Sequence, residues 1–286
     1  MILAMLLLVA GGAQAQMARK VFLSAAGSRD FLIYRPANFP ARAEDRSLVV
    51  MLHGCAQNAD DFARGTRMNA AADTHGFLVI YPEQTAAANA TKCWNWFVPE
   101  QSTRDHGEVA LLAALIDSVA FAEGVPEKHV SLVGLSAGAS MAANLAIAYP
   151  ERYAALGLHS GIPALAARDL MSAFAATKNG FGEGAALGAA AWTAMGHYAR
   201  PIPVFAVQGA DDKVVSPTNL TITVAQWTAI NGHASNRKVP VESQLFPGIG
   251  HGWSGGAAEG SFTAPGGPDA TGLIVNFLVQ TGAIIH

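Results

Sequence analysis

The sequence predicts an α/β fold, a mostly parallel central sheet with helices on both faces. Three observations predict it. Short, continuous apolar runs recur along the chain and read as strands buried on both sides of a parallel sheet. Stretches with helical apolar spacing alternate with them, as βαβ units require. Of 286 residues 51% are hydrophobic and 14% charged, enough for a large buried core and incompatible with disorder.

Taken in order, Val21–Leu23 and Phe31–Tyr34 are expected as two antiparallel edge strands parted by Ala26-Gly27-Ser28. Ser47–Leu52 is a buried strand, Thr66–His75 a helix and Phe77–Tyr81 a strand stopped by Pro82. Glu108–Glu123 has amphipathic spacing and ends at Gly124 and Pro126. The strand His129–Val133 leads into the helix Ala137–Tyr149, which Pro150 ends. Ala154–Leu158 and Pro203–Gln208 are strands, Pro217–Ile230 a helix, Val241–Phe246 a strand and Gly272–Thr281 a closing helix. Ala164–Tyr198 interrupts the alternation; it is either two packing helices or a cap over the site. Residues 16–286 are expected to form one catalytic domain.

Residues 1–15 are expected to be an export signal. Ile2–Ala10 is an apolar core too short to cross a bilayer, followed by the small-residue pattern Ala13-Gln14-Ala15, although a basic leading region is missing. The expected location is secreted or periplasmic, with no stable membrane insertion once the signal is removed. The two cysteines, Cys55 and Cys93, then suggest one disulfide and make a poor metal site. A net charge of −3 without long basic runs speaks against nucleic acid or an anionic membrane as partner. A neutral or weakly polar small molecule or oligomer suits that balance.

In a sheet of this kind the ligand site lies beyond the carboxyl ends of the strands. Gly134-Leu135-Ser136-Ala137-Gly138 sits at such an end, between a strand and a helix. A turn that tight strains the serine backbone, needs small neighbours and lifts the Ser136 hydroxyl above the helix N-terminus. A serine nucleophile needs a base, and His251, in Gly248-Ile249-Gly250-His251-Gly252-Trp253 after a strand, is the best placed. The base needs an acid, and Asp211 and Asp212 both follow the strand Pro203–Gln208. The oxyanion hole is expected from the backbone N–H groups of Ala137 and of Cys55 in His53-Gly54-Cys55-Ala56-Gln57. Trp94 and Trp96 in Cys93-Trp94-Asn95-Trp96-Phe97 either wall a substrate pocket or pack the core, and Trp253 is expected in the pocket. His159, at the end of a strand, is expected beside the site in a supporting or pocket role.

These segments resemble the polyhydroxybutyrate depolymerase family of esterases. The resemblance rests on His53–Asn58, Asp61-Phe62-Ala63, Gly76–Gln84, Cys93–Phe97, Gly134–Ala139 and Gly250–Trp253, in order along the chain. It implies an α/β-hydrolase fold, a serine–aspartate–histidine triad and no cofactor. The family's acid lies in a His-Gly-x-x-Asp-x-x-Val pattern, which aligns with Gln208–Val215 and selects Asp212 over Asp211; Gln208 replaces the histidine, a departure expected not to touch the triad. Feruloyl and acetylxylan esterases are similar to the same family, so they remain rival readings. An acyltransferase or a non-catalytic binding protein on this scaffold is a third. Depolymerases acting on solid polymer carry a linker and a binding domain, and residues 252–286 contain neither. The expected substrates are therefore hydroxybutyrate oligomers or other short-chain esters.

Overall fold

The computed structural model describes residues 14–234 and 238–285. The export signal expected over residues 1–15 falls almost wholly outside them. The chain runs β1 (Gln16–Ser24), β2 (Gly27–Arg35), β3 (Leu48–Leu52), α1 (Ala59–Thr66), α2 (Met68–His75), β4 (Leu78–Pro82), α3 (Pro99–Ser102), α4 (Gly107–Glu123) and β5 (Val130–Leu135). It continues through α5 (Ala137–Ala148), β6 (Ala155–His159), α6 (Leu170–Asn179), α7 (Gly184–Met195), β7 (Val204–Gly209) and α8 (Thr218–Asn231). β8 (Val241–Phe246), the short parallel pair β9 (Trp253–Ser254) and β10 (Thr263–Ala264), and α9 (Ala270–Gln280) complete it.

Eight strands form one sheet in the order β1-β2-β4-β3-β5-β6-β7-β8. β1 pairs antiparallel with β2, and β2 antiparallel with β4; all other pairings are parallel. The central strands carry apolar residues at successive positions because both faces are covered. Leu48, Val50 and Leu52 of β3 lie on the sheet face covered by α4, α5 and α8, whereas Val49 and Met51 lie on the face covered by α1, α2 and α9. β8 differs. Its Glu242-Ser243-Gln244-Leu245 stretch is exposed, as an edge strand allows.

The predicted helix Thr66–His75 is α2, which begins at Met68, and a further helix, α1, precedes it. Arg67 adopts a left-handed conformation (φ 57°) and separates α1 from α2. α1 was hidden in a polar stretch, yet Ala59, Phe62, Ala63 and Thr66 fall at helical spacing and are buried, and Asn58 caps the start by accepting from the Asp61 N–H. The interrupted region holds α6 and α7. α7 lies hard against α8, where a Cβ on Gly184 would come within 2.5 Å of the Ala225 Cβ.

Candidate active site

Ser136 is the single residue between β5 and α5 and has φ 56° and ψ −122°, a conformation a non-glycine residue adopts only under constraint. The close approach explains its neighbours. A Cβ on Gly134 would meet the Gly138 carbonyl carbon at 2.4 Å, and one on Gly138 would meet the Leu52 oxygen at 2.0 Å. The Ser136 N–H donates to the His159 oxygen at 2.8 Å, tying the turn to β6.

Asp212 lies in the loop after β7, and all four of its hydrogen-bond neighbours donate. Oδ1 accepts from the N–H groups of Val214 (2.9 Å) and Val215 (2.8 Å). Oδ2 accepts from Gln208 Nε2 (2.8 Å) and His251 Nδ1 (2.7 Å). With Nδ1 donating, Nε2 of His251 is left as the ring's acceptor. Asp211 is exposed, and its N–H donates to the Ile249 oxygen, which joins the acid loop to the histidine loop.

Ser136 and His251 line one cavity of about 310 Å³ at the carboxyl ends of the strands. Gly54, Cys55 and Ala137 line it as well. Ala137 opens α5, so its N–H has no acceptor within the helix. Cys55 and Cys93 form a disulfide, with Cα atoms 4.2 Å apart, that fastens two cavity-wall loops together. The remaining wall is mostly apolar, with Trp96, Phe97, Ile162, Val214 and Phe262 and with Leu170 and Phe174 from α6; Gln57 and Thr177 are its polar members.

Of the four pocket residues expected from the sequence, the structure brings only Trp96 to the cavity. Trp94 is buried behind the wall, where its indole N–H donates to the His53 oxygen at 3.0 Å. Trp253 is also core; it meets Phe62 edge-on, stacks on His159 and donates to Thr271 Oγ1. His159 is fully buried, and its Nε2 accepts from the Ser254 N–H. Burial, and then the nearby His251, pushes its titration down to about 3, so it stays neutral. Large aromatic residues beside a motif do not reveal whether they face inward or outward without a period to count.

Sequence reasoning also missed functional neighbours. Gln208 bridges Asp212 Oδ2 and the Val215 oxygen. Gln57 accepts from the Gly54 N–H and donates to Asp61 and to the Ser261 oxygen, pinning the loop that carries Cys55. No motif flags the individual α6 residues, but the segment Ala164–Tyr198 that holds them was expected as two packing helices or a cap, and Leu170 and Phe174 do line the cavity.

The sequence pattern of the esterase PHB depolymerase family matches residues 30–239. The chain belongs to that family. Among relatives, a poly(3-hydroxyalkanoate) depolymerase C of Paucimonas lemoignei is 31% identical over 79% of this chain and 59% of its own length. An acetylxylan esterase A of Emericella nidulans is 33% identical over 47% of this chain and 42% of its own. The chain thus spans about half the length of these relatives. Among solved structures, an acetyl xylan esterase from Aspergillus awamori superposes with a TM-score of 0.70 at 20% identity, covering 82% of this chain and 94% of that one. The likeness shows that this member of the PHB depolymerase family has the α/β-hydrolase fold.

Proposed function

We propose that the chain is a serine carboxylic ester hydrolase, with Ser136 as nucleophile, His251 as base and Asp212 as its orienting acid. The observation that carries the reading is the His251 Nδ1–Asp212 Oδ2 hydrogen bond of 2.7 Å at the mouth of the cavity that Ser136 also lines. His251 takes the Ser136 proton as the hydroxyl attacks the ester carbonyl, and later returns it to the leaving alcohol. The N–H groups of Ala137 and Cys55 receive the oxyanion. Water then releases the acyl group by the same route.

The substrates proposed are hydroxybutyrate oligomers or other short-chain esters. A mostly apolar wall, with no Asp, Glu, Lys or Arg among the described residues that line it, suits a neutral acyl group. The relative from Paucimonas lemoignei supports the polyester reading. The acetylxylan esterase of Emericella nidulans supports a second reading, deacylation of a polysaccharide. Rates on a hydroxybutyrate trimer, an acetylated xylan and a feruloyl ester separate the two. The disulfide fits the proposed secreted or periplasmic location. Replacing Ser136→Ala is expected to lower kcat on a short-chain nitrophenyl ester by about 10⁶-fold with the melting temperature unchanged. An active Ser136→Ala enzyme would overturn the assignment.

A further inference from the structure

We infer that His53 is a positioning residue for the oxyanion hole: it holds the Gly54–Cys55 peptide in the orientation that turns the Cys55 N–H into the cavity. The inference rests on the proposed role of Cys55. His53 is fully buried directly after β3 and does not line the cavity that Ser136 lines. Its Nε2 accepts from the Gln84 N–H at 3.0 Å, which places the ring proton on Nδ1. Nδ1 then donates to the Gly54 oxygen at 2.7 Å.

A peptide unit is planar, and this one is trans, so its carbonyl and its N–H point in opposite directions. The Gly54 carbonyl faces the buried imidazole. The Cys55 N–H therefore faces the other way, towards the side where Gly54 packs on Ser136; a Cβ on Gly54 would lie 3.6 Å from the Ser136 Cβ. The other polar backbone groups nearby are engaged. Trp94 donates to the His53 oxygen, the Gly54 N–H donates to Gln57, and the Ala56 N–H donates to the Thr91 oxygen at 2.8 Å. Among the described residues the Cys55 N–H meets no acceptor. A free donor beside the nucleophile, with its peptide fixed from behind, is the arrangement oxyanion stabilisation needs.

The ring also stays in one protonation state. Burial pushes His53 down to about 4, so the Gln84–His53–Gly54 chain keeps its direction throughout the neutral range. Gln84 is itself fixed: its side chain accepts from Arg29 and donates to Glu108 and to the oxygen of Cys93, the disulfide partner of Cys55.

His53→Leu removes the donor to Gly54. It is expected to lower kcat on a short-chain ester about 100-fold while KM changes less than about threefold. Affinity for a boronic acid, whose tetrahedral adduct on Ser136 uses the same hole, is expected to fall alongside kcat. His53→Asn places an amide N–H where Nδ1 was and is expected to recover about tenfold of the loss. His53→Gln reaches the Nε2 position instead and is not expected to recover it. If the Leu variant does not fold, the Asn-against-Gln contrast decides. A kcat within about threefold of the parent in Leu and Gln variants, or a lowered kcat with unchanged boronic-acid affinity, overturns the inference. Ser136→Ala in the same assay separates the causes. If it is inactive, only the role of His53 falls; if it is active, the hydrolase reading falls with it.

Discussion

The rim that carries Ser136, Asp212 and His251 and the wall that α6 contributes face the same cavity but are built on opposite plans. Each rim residue follows a parallel strand, is at least mostly buried and has its geometry fixed by hydrogen bonds to other loops. The α6 wall presents Leu170, at 69% exposure, and Phe174, at 63%, to the cavity mouth. It is moored on its other side by the Ser216 N–H to the Thr177 oxygen, Asn219 Nδ2 to the Ala176 oxygen and Lys178 Nζ to the Lys213 oxygen. All three moorings reach the loop after Asp212 or the start of α8. The wall is thus tied to the acid loop while its outer face stays apolar. Under the proposed function, the rim would set the chemistry and the wall which acyl groups fit.

That division predicts effects of very different size. Asp212→Asn tests the rim at its most constrained point. The carboxylate receives four donors, and an amide at that position must present an N–H to one of them. His251 then loses its orienting acceptor and the stabilisation of its charged form. The expected loss in kcat is about 10⁴-fold, with KM little changed. Steady-state kinetics on a short-chain ester would show it. A loss of only a few-fold would mean that another acceptor, Asp211 first among them, orients the histidine.

The same contrast explains what was legible in the sequence. The sheet was legible because strands buried on both faces leave continuous apolar runs, as at Leu48–Leu52 and Leu78–Pro82. The positions of Ser136 and His251 were legible because this fold places its loops at strand ends and glycine-bounded turns, whereas Asp212 was separated from Asp211 only by the family resemblance. The strained φ of Ser136 and the close contacts of Gly134 and Gly138 are what the motif encodes. α1 was missed because Asp60, Asp61 and Arg64 mask its buried positions. Trp94, Trp253 and His159 could not be assigned to core or cavity from composition, because an aromatic ring suits both. Their partners, the His53 oxygen, Thr271 and Ser254, lie far away in sequence. The α6 wall was legible only as a segment: Ala164–Tyr198 broke the strand–helix alternation, but an exposed apolar helix face resembles a poorly patterned one, so packing helices and a cap could not be told apart.

A second test concerns the histidines behind the rim rather than those on it. His53 and His159 are neutral because burial holds them near 4 and 3, below the usual value of about 6.5 in the unfolded chain. A base with a depressed folded value makes unfolding take up a proton. Its contribution to stability is complete above about pH 6.5 and is lost as pH falls towards the folded value. Both groups act between about pH 6.5 and 4, and His159 alone acts from there to about 3. Each adds a slope of about 1.4 kcal/mol per pH unit inside its window. Urea unfolding at a series of pH values is expected to show stability falling on acidification. His159→Gln, whose side-chain oxygen can still accept from Ser254, is expected to flatten that fall. An unchanged slope in the variant would show that His159 already carries a proton in the folded protein.

The smallest effect belongs to the wall. Phe174 is more than half exposed in the free protein, so its contribution to folding is slight and its apolar surface is open to a ligand. Covering part of a phenyl ring on binding contributes about 1 kcal/mol, roughly a fivefold change in affinity. Phe174→Ala is therefore expected to raise KM about fivefold for a medium-chain acyl ester and hardly at all for an acetyl ester, with kcat within about twofold for both. Measuring the two esters side by side makes the test specific, because a disturbed rim would depress kcat on both alike. Equal losses in kcat on the two would mean that α6 positions the acid loop through its tethers at Thr177 and Ala176, and that rim and wall are one mechanical unit.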